Sequence, residues 1–147
     1  ASYRRQRQMC IRDRVQGIKD GLIDVIVSDH LPEDEESKRL PFAQAATGAI
    51  GVETLLPLSL EMYHNESLPL NKIIETLTIN PAKILKIKKG TLAKGSDGDI
   101  CIFDLDAPGK VVADKLKSKS KNTAIENRNL QGKILMTYLN GELVYSN

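Results

Sequence analysis

Cysteine is scarce in this chain. Cys10 and Cys101 are the two, and they form no CxxC pair. Neither a disulfide framework nor a cysteine-based zinc site is supported, and a reducing cytoplasm is the expected setting. No stretch approaches the roughly 18 consecutive apolar residues of a membrane-spanning helix, so no membrane role is expected. Aromatic residues make up only 4% of the chain. A basic arm without interleaved aromatics or a recognised module is a poor nucleic-acid reader, and no nucleic-acid partner is expected. Internal repeats are absent too.

What is present suits one ordinary soluble globular unit: 147 residues, 41% hydrophobic and 27% charged. The net charge of +2 hides an asymmetry. Residues 1–14 hold Arg4, Arg5, Arg7, Arg12 and Arg14 against Asp13, a local +4, so the rest of the chain carries −2. Five of the seven arginines lie in this leader, whereas all fourteen lysines lie outside it. The leader has no apolar periodicity, no apolar core of a signal peptide and a single serine, which argues against a targeting peptide. Residues 1–14 therefore read as a non-native leader, similar to translated adapter or vector sequence.

The chain is organised around Leu22–Pro32. A short run rich in Val and Ile, entered from a Gly21 turn, predicts a buried strand over 22–28. It stops at Ser28-Asp29-His30 and a proline. An acid where an apolar strand ends fits a catalytic group on a parallel α/β scaffold, whose reactive residues sit at the carboxyl ends of strands. Asp also commonly follows a strand because its side chain bonds to turn backbone, and both readings stay open on these residues alone. Ser28, Asp29 and His30 do not form a nucleophile triad, because successive residues of an extended chain face opposite ways.

The spacing predicts a helix tail over Val15–Lys19, then the strand, then a long polar loop over 29–49 rich in Glu and Asp. Loops of this length are usually functional or disordered. Gly48 and Gly51 precede a helix at about 53–63, where free backbone amides could hold an anion. Pro57 fits that helix only in its first turn. Leu56, Leu60 and Tyr63 recur at helical spacing as core contacts, and His64 reads as a surface cap. A second helix is expected over Leu70–Leu77, and a third starts at Asn80-Pro81 with Asn80 as its cap. After Gly90 the pattern turns to strands at Ile100–Phe103 and Ile134–Leu139. Asn140-Gly141 marks a type I′ hairpin leading to Leu143–Tyr145. The lysine-rich run 115–121 reads as a soluble connecting loop.

Several motifs occur in order: Ser28-Asp29-His30-Leu31-Pro32, Gly48-Ala49-Ile50-Gly51-Val52-Glu53-Thr54, Asn80-Pro81-Ala82-Lys83 and Gly90-Thr91-Leu92-Ala93-Lys94-Gly95. With Ser118-Lys119-Ser120-Lys121-Asn122-Thr123, they resemble the dihydroorotase family of the amidohydrolase superfamily. The Asn122-Thr123 tail favours that family over hydantoinases. The resemblance runs from about Val15 to the C-terminus. It implies an α/β fold: the last strand and helices of a (β/α)8 metal-dependent hydrolase barrel over 15–89, followed by part of a small C-terminal β-sandwich over 90–147. A whole barrel needs about 250 residues, so the chain would be a carboxyl-terminal fragment.

The implied activity is zinc-dependent, reversible hydrolysis of the cyclic amide of dihydroorotate to N-carbamoyl-L-aspartate, in pyrimidine biosynthesis. Asp29 matches the family's last-strand aspartate, which is both metal ligand and proton carrier. The remaining ligands for one or two Zn²⁺ ions would be histidines, and in many members a carboxylated lysine, on segments this chain lacks. His30 and His64 cannot replace a His-x-His pair. Many members read Asp-His-Ala-Pro-His, with the final histidine on the substrate carboxylate. Glu33 stands there instead, and an ionised carboxylate repels another. Arg39 is the expected replacement, with Lys38 second and the backbone around Thr47 and Gly48 sharing the role. The expected partners are a small-molecule substrate and, for the complete protein, further copies of itself. The alternative implied by the resemblance is a metal-free, non-catalytic partner of aspartate carbamoyltransferase.

Overall fold

The computed structural model describes residues 12–147. Cys10 and the first eleven residues of the expected leader lie outside the described residues. Residues 12–14 are helical and continuous with the helix tail predicted from Val15, forming α1 over 12–19. The boundary expected after residue 14 is therefore not an element boundary. Gly21, at φ 73°, ends this helix as expected, and the amides of Leu22 and Ile23 return to the Gly17 carbonyl at 2.8 and 3.0 Å.

The strand expected over 22–28 is the first correction. Among the described residues, 22–28 join no ladder. A parallel bridge forms just beyond them, between His30 and Ala49, and the Ile26 amide reaches the Thr76 carbonyl at 3.2 Å. A strand is defined by its neighbours, and no described residues lie alongside to supply them. Ile23 and Ile26 pack inward against a small core of Ile18, Leu68 and Ile73, while Val27 is 71% exposed.

The loop over 29–49 contains one helical turn, α2 (Glu35–Lys38). Asp34 caps it by accepting the Ser37 amide at 2.7 Å, and Glu35, Glu36 and Lys38 are ordered to complement the helix dipole. Helix α3 is Leu55–His64, with Pro57 in its first turn as its missing N–H requires. Helix α4 is Leu70–Leu77, the span read from the sequence. Helix α5 (Ile79–Ile84) departs from expectation: Thr78 precedes it, and Asn80 is already inside. Instead of capping, the Asn80 amide nitrogen donates to the Asp24 carbonyl at 2.9 Å and ties α5 to the segment before Asp29. Tyr63 is exposed, whereas Leu60 is fully buried.

Three antiparallel strands follow: β1 (Ile100–Lys110), β2 (Asn129–Leu139) and β3 (Glu142–Ser146), in the order β1-β2-β3. Both long strands extend beyond the apolar runs that announced them. Asn140 and Gly141, at φ 51° and 82°, make the two-residue turn, as a type I′ hairpin requires. The described residues thus hold one three-stranded sheet, not the two layers of a sandwich. Helix α3 packs on β2 where Gly132 leaves no room for a side chain. A Cβ there would stand 2.5 Å from Leu60 Cδ1. The junction from α5 to the sheet is held by charge. Lys89 Nζ lies 2.7 Å from Asp97 and 2.5 Å from Asp99, and Asp99 also accepts the Asn140 amide at 2.9 Å.

Candidate active site

Asp29 stands where the apolar segment ends, in left-handed backbone at φ 46° with its side chain exposed. Asp tolerates this conformation better than most residues, but only surroundings that fix the chain keep it there. Those surroundings are the glycine-bearing stretch 48–52. The Leu31 amide donates to the Ala49 carbonyl at 3.0 Å, and His30 Nδ1 accepts the amides of Gly51 and Val52 at 3.1 and 3.4 Å. Gly51 must be glycine for space, since a Cβ there would lie 2.7 Å from the Ser28 carbonyl oxygen. The Gly51 amide is therefore committed to His30, and the anion cradle expected from Gly48 and Gly51 is corrected at Gly51.

A third segment completes the arrangement. The Asn122 side chain donates to the Gly48 carbonyl at 3.0 Å, and the Asn122 backbone carbonyl accepts the Ile50 amide at 3.0 Å. Ser120 Oγ donates to the Glu33 carbonyl at 2.6 Å. The Glu53 carboxylate accepts the amides of Lys117 and Ser118 at 2.9 and 3.0 Å. The run read as a soluble connecting loop is thus laced to the ground beneath Asp29. His30, Glu53, Ser120 and Asn122 carried no role in the sequence reading. For Ser120 and Asn122 the signal was the Ser118–Thr123 motif, quoted for its resemblance but not for its bonds.

The substrate-binding candidates separate. Gly48 lies in this cluster, and Lys38 Nζ reaches the carbonyls of Ala46 and Gly48, both at 2.6 Å, so it holds the loop together. Thr47 is exposed beside them. Arg39 is also exposed, and it pairs with Glu35 one helical turn earlier. His64 is not the surface cap expected. Its ring is largely buried, with Nδ1 4.0 Å from Asp106 and Nε2 without a partner.

Among the described residues no group of three or more His, Cys, Asp or Glu side chains could hold a metal ion. The described residues therefore do not make a metal site, and Asp29 stands there as a single exposed carboxylate. Alone it can accept a proton and return it.

The amidohydrolase family profile matches residues 10–144. The chain belongs to the amidohydrolase family. This amidohydrolase chain is 44% identical over 131 residues to a dihydroorotase of Ehrlichia chaffeensis, covering 89% of itself and 29% of that protein. It is 40% identical over 132 residues to a dihydroorotase of a Wolbachia from Drosophila simulans, covering 90% of itself and 30% of that protein. Among solved structures it resembles an L-hydantoinase of Arthrobacter aurescens. There the TM-score is 0.83 at 33% identity, covering 90% of the chain and 31% of that enzyme. A dihydropyrimidinase from Brevibacillus agri shares the fold at a TM-score of 0.87 and 22% identity, over 92% of the chain and 31% of that enzyme. The amidohydrolase chain spans about three-tenths of the length of the relatives it matches. No helix among its described residues is long and apolar enough to cross a membrane.

Proposed function

We propose that this amidohydrolase chain is the carboxyl-terminal part of a dihydroorotase. The complete cytoplasmic protein would interconvert (S)-dihydroorotate and N-carbamoyl-L-aspartate in pyrimidine biosynthesis. The observation that carries the reading is Asp29, held in left-handed backbone above three cross-bonded segments at the end of an apolar run. In this proposal residues 15–89 close a (β/α)8 barrel and residues 90–147 belong to a small β-sandwich. The exposed Leu22 and Val27 on the apolar run before Asp29, and the open edges of the three-stranded sheet, support it. They are apolar and hydrogen-bonding surfaces of the kind that neighbouring strands cover.

The chemistry assigned to this chain is proton transfer. As water adds to the ring carbonyl, Asp29 takes its proton. As the carbon–nitrogen bond breaks, the same carboxyl returns that proton to the leaving nitrogen, a general base turned general acid. Zinc would be held by Asp29 together with ligands from outside this chain, and when bound it would polarise the ring carbonyl and acidify the attacking water. Arg39 is proposed to hold the substrate carboxylate, which requires it to leave Glu35. That exchange is easy, because an exposed pair of this kind is worth at most about 1 kcal/mol. Lys38, Thr47 and Gly48 shape the loop beside it.

The likeness to an L-hydantoinase favours a second reading, hydrolysis of a five-membered cyclic ureide. Steady-state assays of the complete protein on dihydroorotate and on a 5-substituted hydantoin separate the two. A kcat/KM at least about tenfold higher for dihydroorotate supports the proposal, while the reverse preference moves the assignment to the hydantoinase class. A complete protein that turns over neither substrate yet binds aspartate carbamoyltransferase would belong to the non-catalytic alternative.

A further inference from the structure

We propose that His30 is a positioning residue for Asp29, acting through the two backbone amides it accepts; the inference rests on the catalytic role proposed for Asp29. Two N–H donors, Gly51 and Val52, converge on Nδ1 at 3.1 and 3.4 Å. An acceptor nitrogen carries no hydrogen, so the ring is in the tautomer with its hydrogen on Nε2. The imidazole thereby acts as a fixed acceptor strut between the residue after Asp29 and the 48–52 stretch.

The backbone on the carboxyl side is tied as well, through the His30–Ala49 bridge and the Leu31 amide on the Ala49 carbonyl at 3.0 Å. On the amino side, Ser28 sits against Gly51, where a Cβ would lie 2.7 Å from its carbonyl oxygen. Asp29 therefore sits in a left-handed conformation, φ 46°, between two tied neighbours. Its exposed carboxylate is aimed by the backbone on either side. Removing the His30 ring takes away the side-chain tie on the carboxyl side and leaves the Leu31–Ala49 bond as the hold there, so φ of Asp29 can relax toward the common negative region.

The test uses three variants of the complete protein. In His30→Asn the side-chain oxygen falls close to the place of Nδ1 and keeps the acceptor. In His30→Gln the oxygen reaches the place of Nε2 and leaves the amides unpaired. His30→Ala removes the acceptor altogether. Crystal structures read φ of Asp29, amide hydrogen exchange reads Gly51 and Val52, and steady-state kinetics reads kcat and KM on dihydroorotate. We expect His30→Asn to keep positive φ at Asp29, protected amides and near-normal kcat. We expect His30→Gln to expose both amides, to move Asp29 out of the left-handed region and to lower kcat by about 10–100-fold with little change in KM, as misplacement of a reacting group does. If His30→Ala does not fold, the Asn and Gln pair carries the comparison unaided. Equal behaviour of Asn and Gln, or an unmoved Asp29 in His30→Gln, overturns the inference. If the wild-type protein does not turn over dihydroorotate, the proposed function falls, while φ of Asp29 and the exchange rates still decide the role of His30.

Discussion

At the scale of single residues, the site works through commitments that leave few groups free. Gly51 spends its amide on His30 and its missing side chain on the Ser28 carbonyl. Any substitution there must displace backbone. Gly51→Ala is expected to destabilise the complete protein by about 1–3 kcal/mol, the usual cost of overpacking, read as a lower urea midpoint. An unchanged midpoint would mean that the Ser28 contact yields freely. Arg39 is the opposite case, an exposed cation with one surface partner. If it holds the substrate carboxylate, Arg39→Ala removes a charge-assisted contact of roughly 1.5–3 kcal/mol and lowers kcat/KM at least about tenfold. Constants within twofold of wild type would leave Arg39 to its pair with Glu35. Asp29 was legible in the sequence because an apolar run ending in an acid is a local pattern. His30 was not, because its partners lie twenty-one and twenty-two positions away and are backbone atoms.

At the scale of elements, local chemistry predicted well where it alone decides. The Asn140-Gly141 turn, the α4 span and the place of Pro57 follow from φ preferences and apolar spacing. It failed where a distant group competes. Asn80 has the chemistry of a cap, but its side chain reaches Asp24 instead. The run 115–121 has the composition of a solvated loop, but Glu53 takes two of its amides. The junction between α5 and β1 yields a pH prediction. Hydrogen bonds from Lys89 and from the Asn140 amide hold the Asp99 carboxyl below the usual carboxylate range, and Asp97 and Asp99 raise Lys89. A lowered carboxyl stabilises fully above its unfolded value of about 3.9 and loses that contribution as pH falls through the folded value. A raised lysine stabilises below its unfolded value of about 10.4 and loses that as pH rises through the folded value. The cluster therefore acts across the range between. Asp99→Asn is expected to lose less stability than wild type between pH 6 and pH 3, as followed by urea unfolding. An identical acid limb in both proteins would show that the cluster contributes nothing.

At the scale of the whole molecule, the apolar surfaces are turned outward. Leu22, Val27 and Phe42 are exposed, Phe42 fully, and among the described residues the segment before Asp29 joins no ladder. The sequence showed an apolar run but not who pairs with it, because strand partners are non-local. Likewise the sheet is visible in its strands, whereas a second layer is not among the described residues. Produced alone, the chain is expected to bind a hydrophobic dye and to be inactive on dihydroorotate even with added zinc, since no group among its described residues could hold a metal ion beside Asp29. Turnover by the isolated chain would refute its being a part of the enzyme. The central claim is that this chain supplies the proton carrier of a cyclic-amide hydrolase. The most direct measurement is kcat of the complete protein and of its Asp29→Asn variant on dihydroorotate, at matched metal content. The account predicts a loss of at least about 10²-fold, because the amide keeps the shape but cannot take the proton. Near-normal turnover in the variant would contradict it.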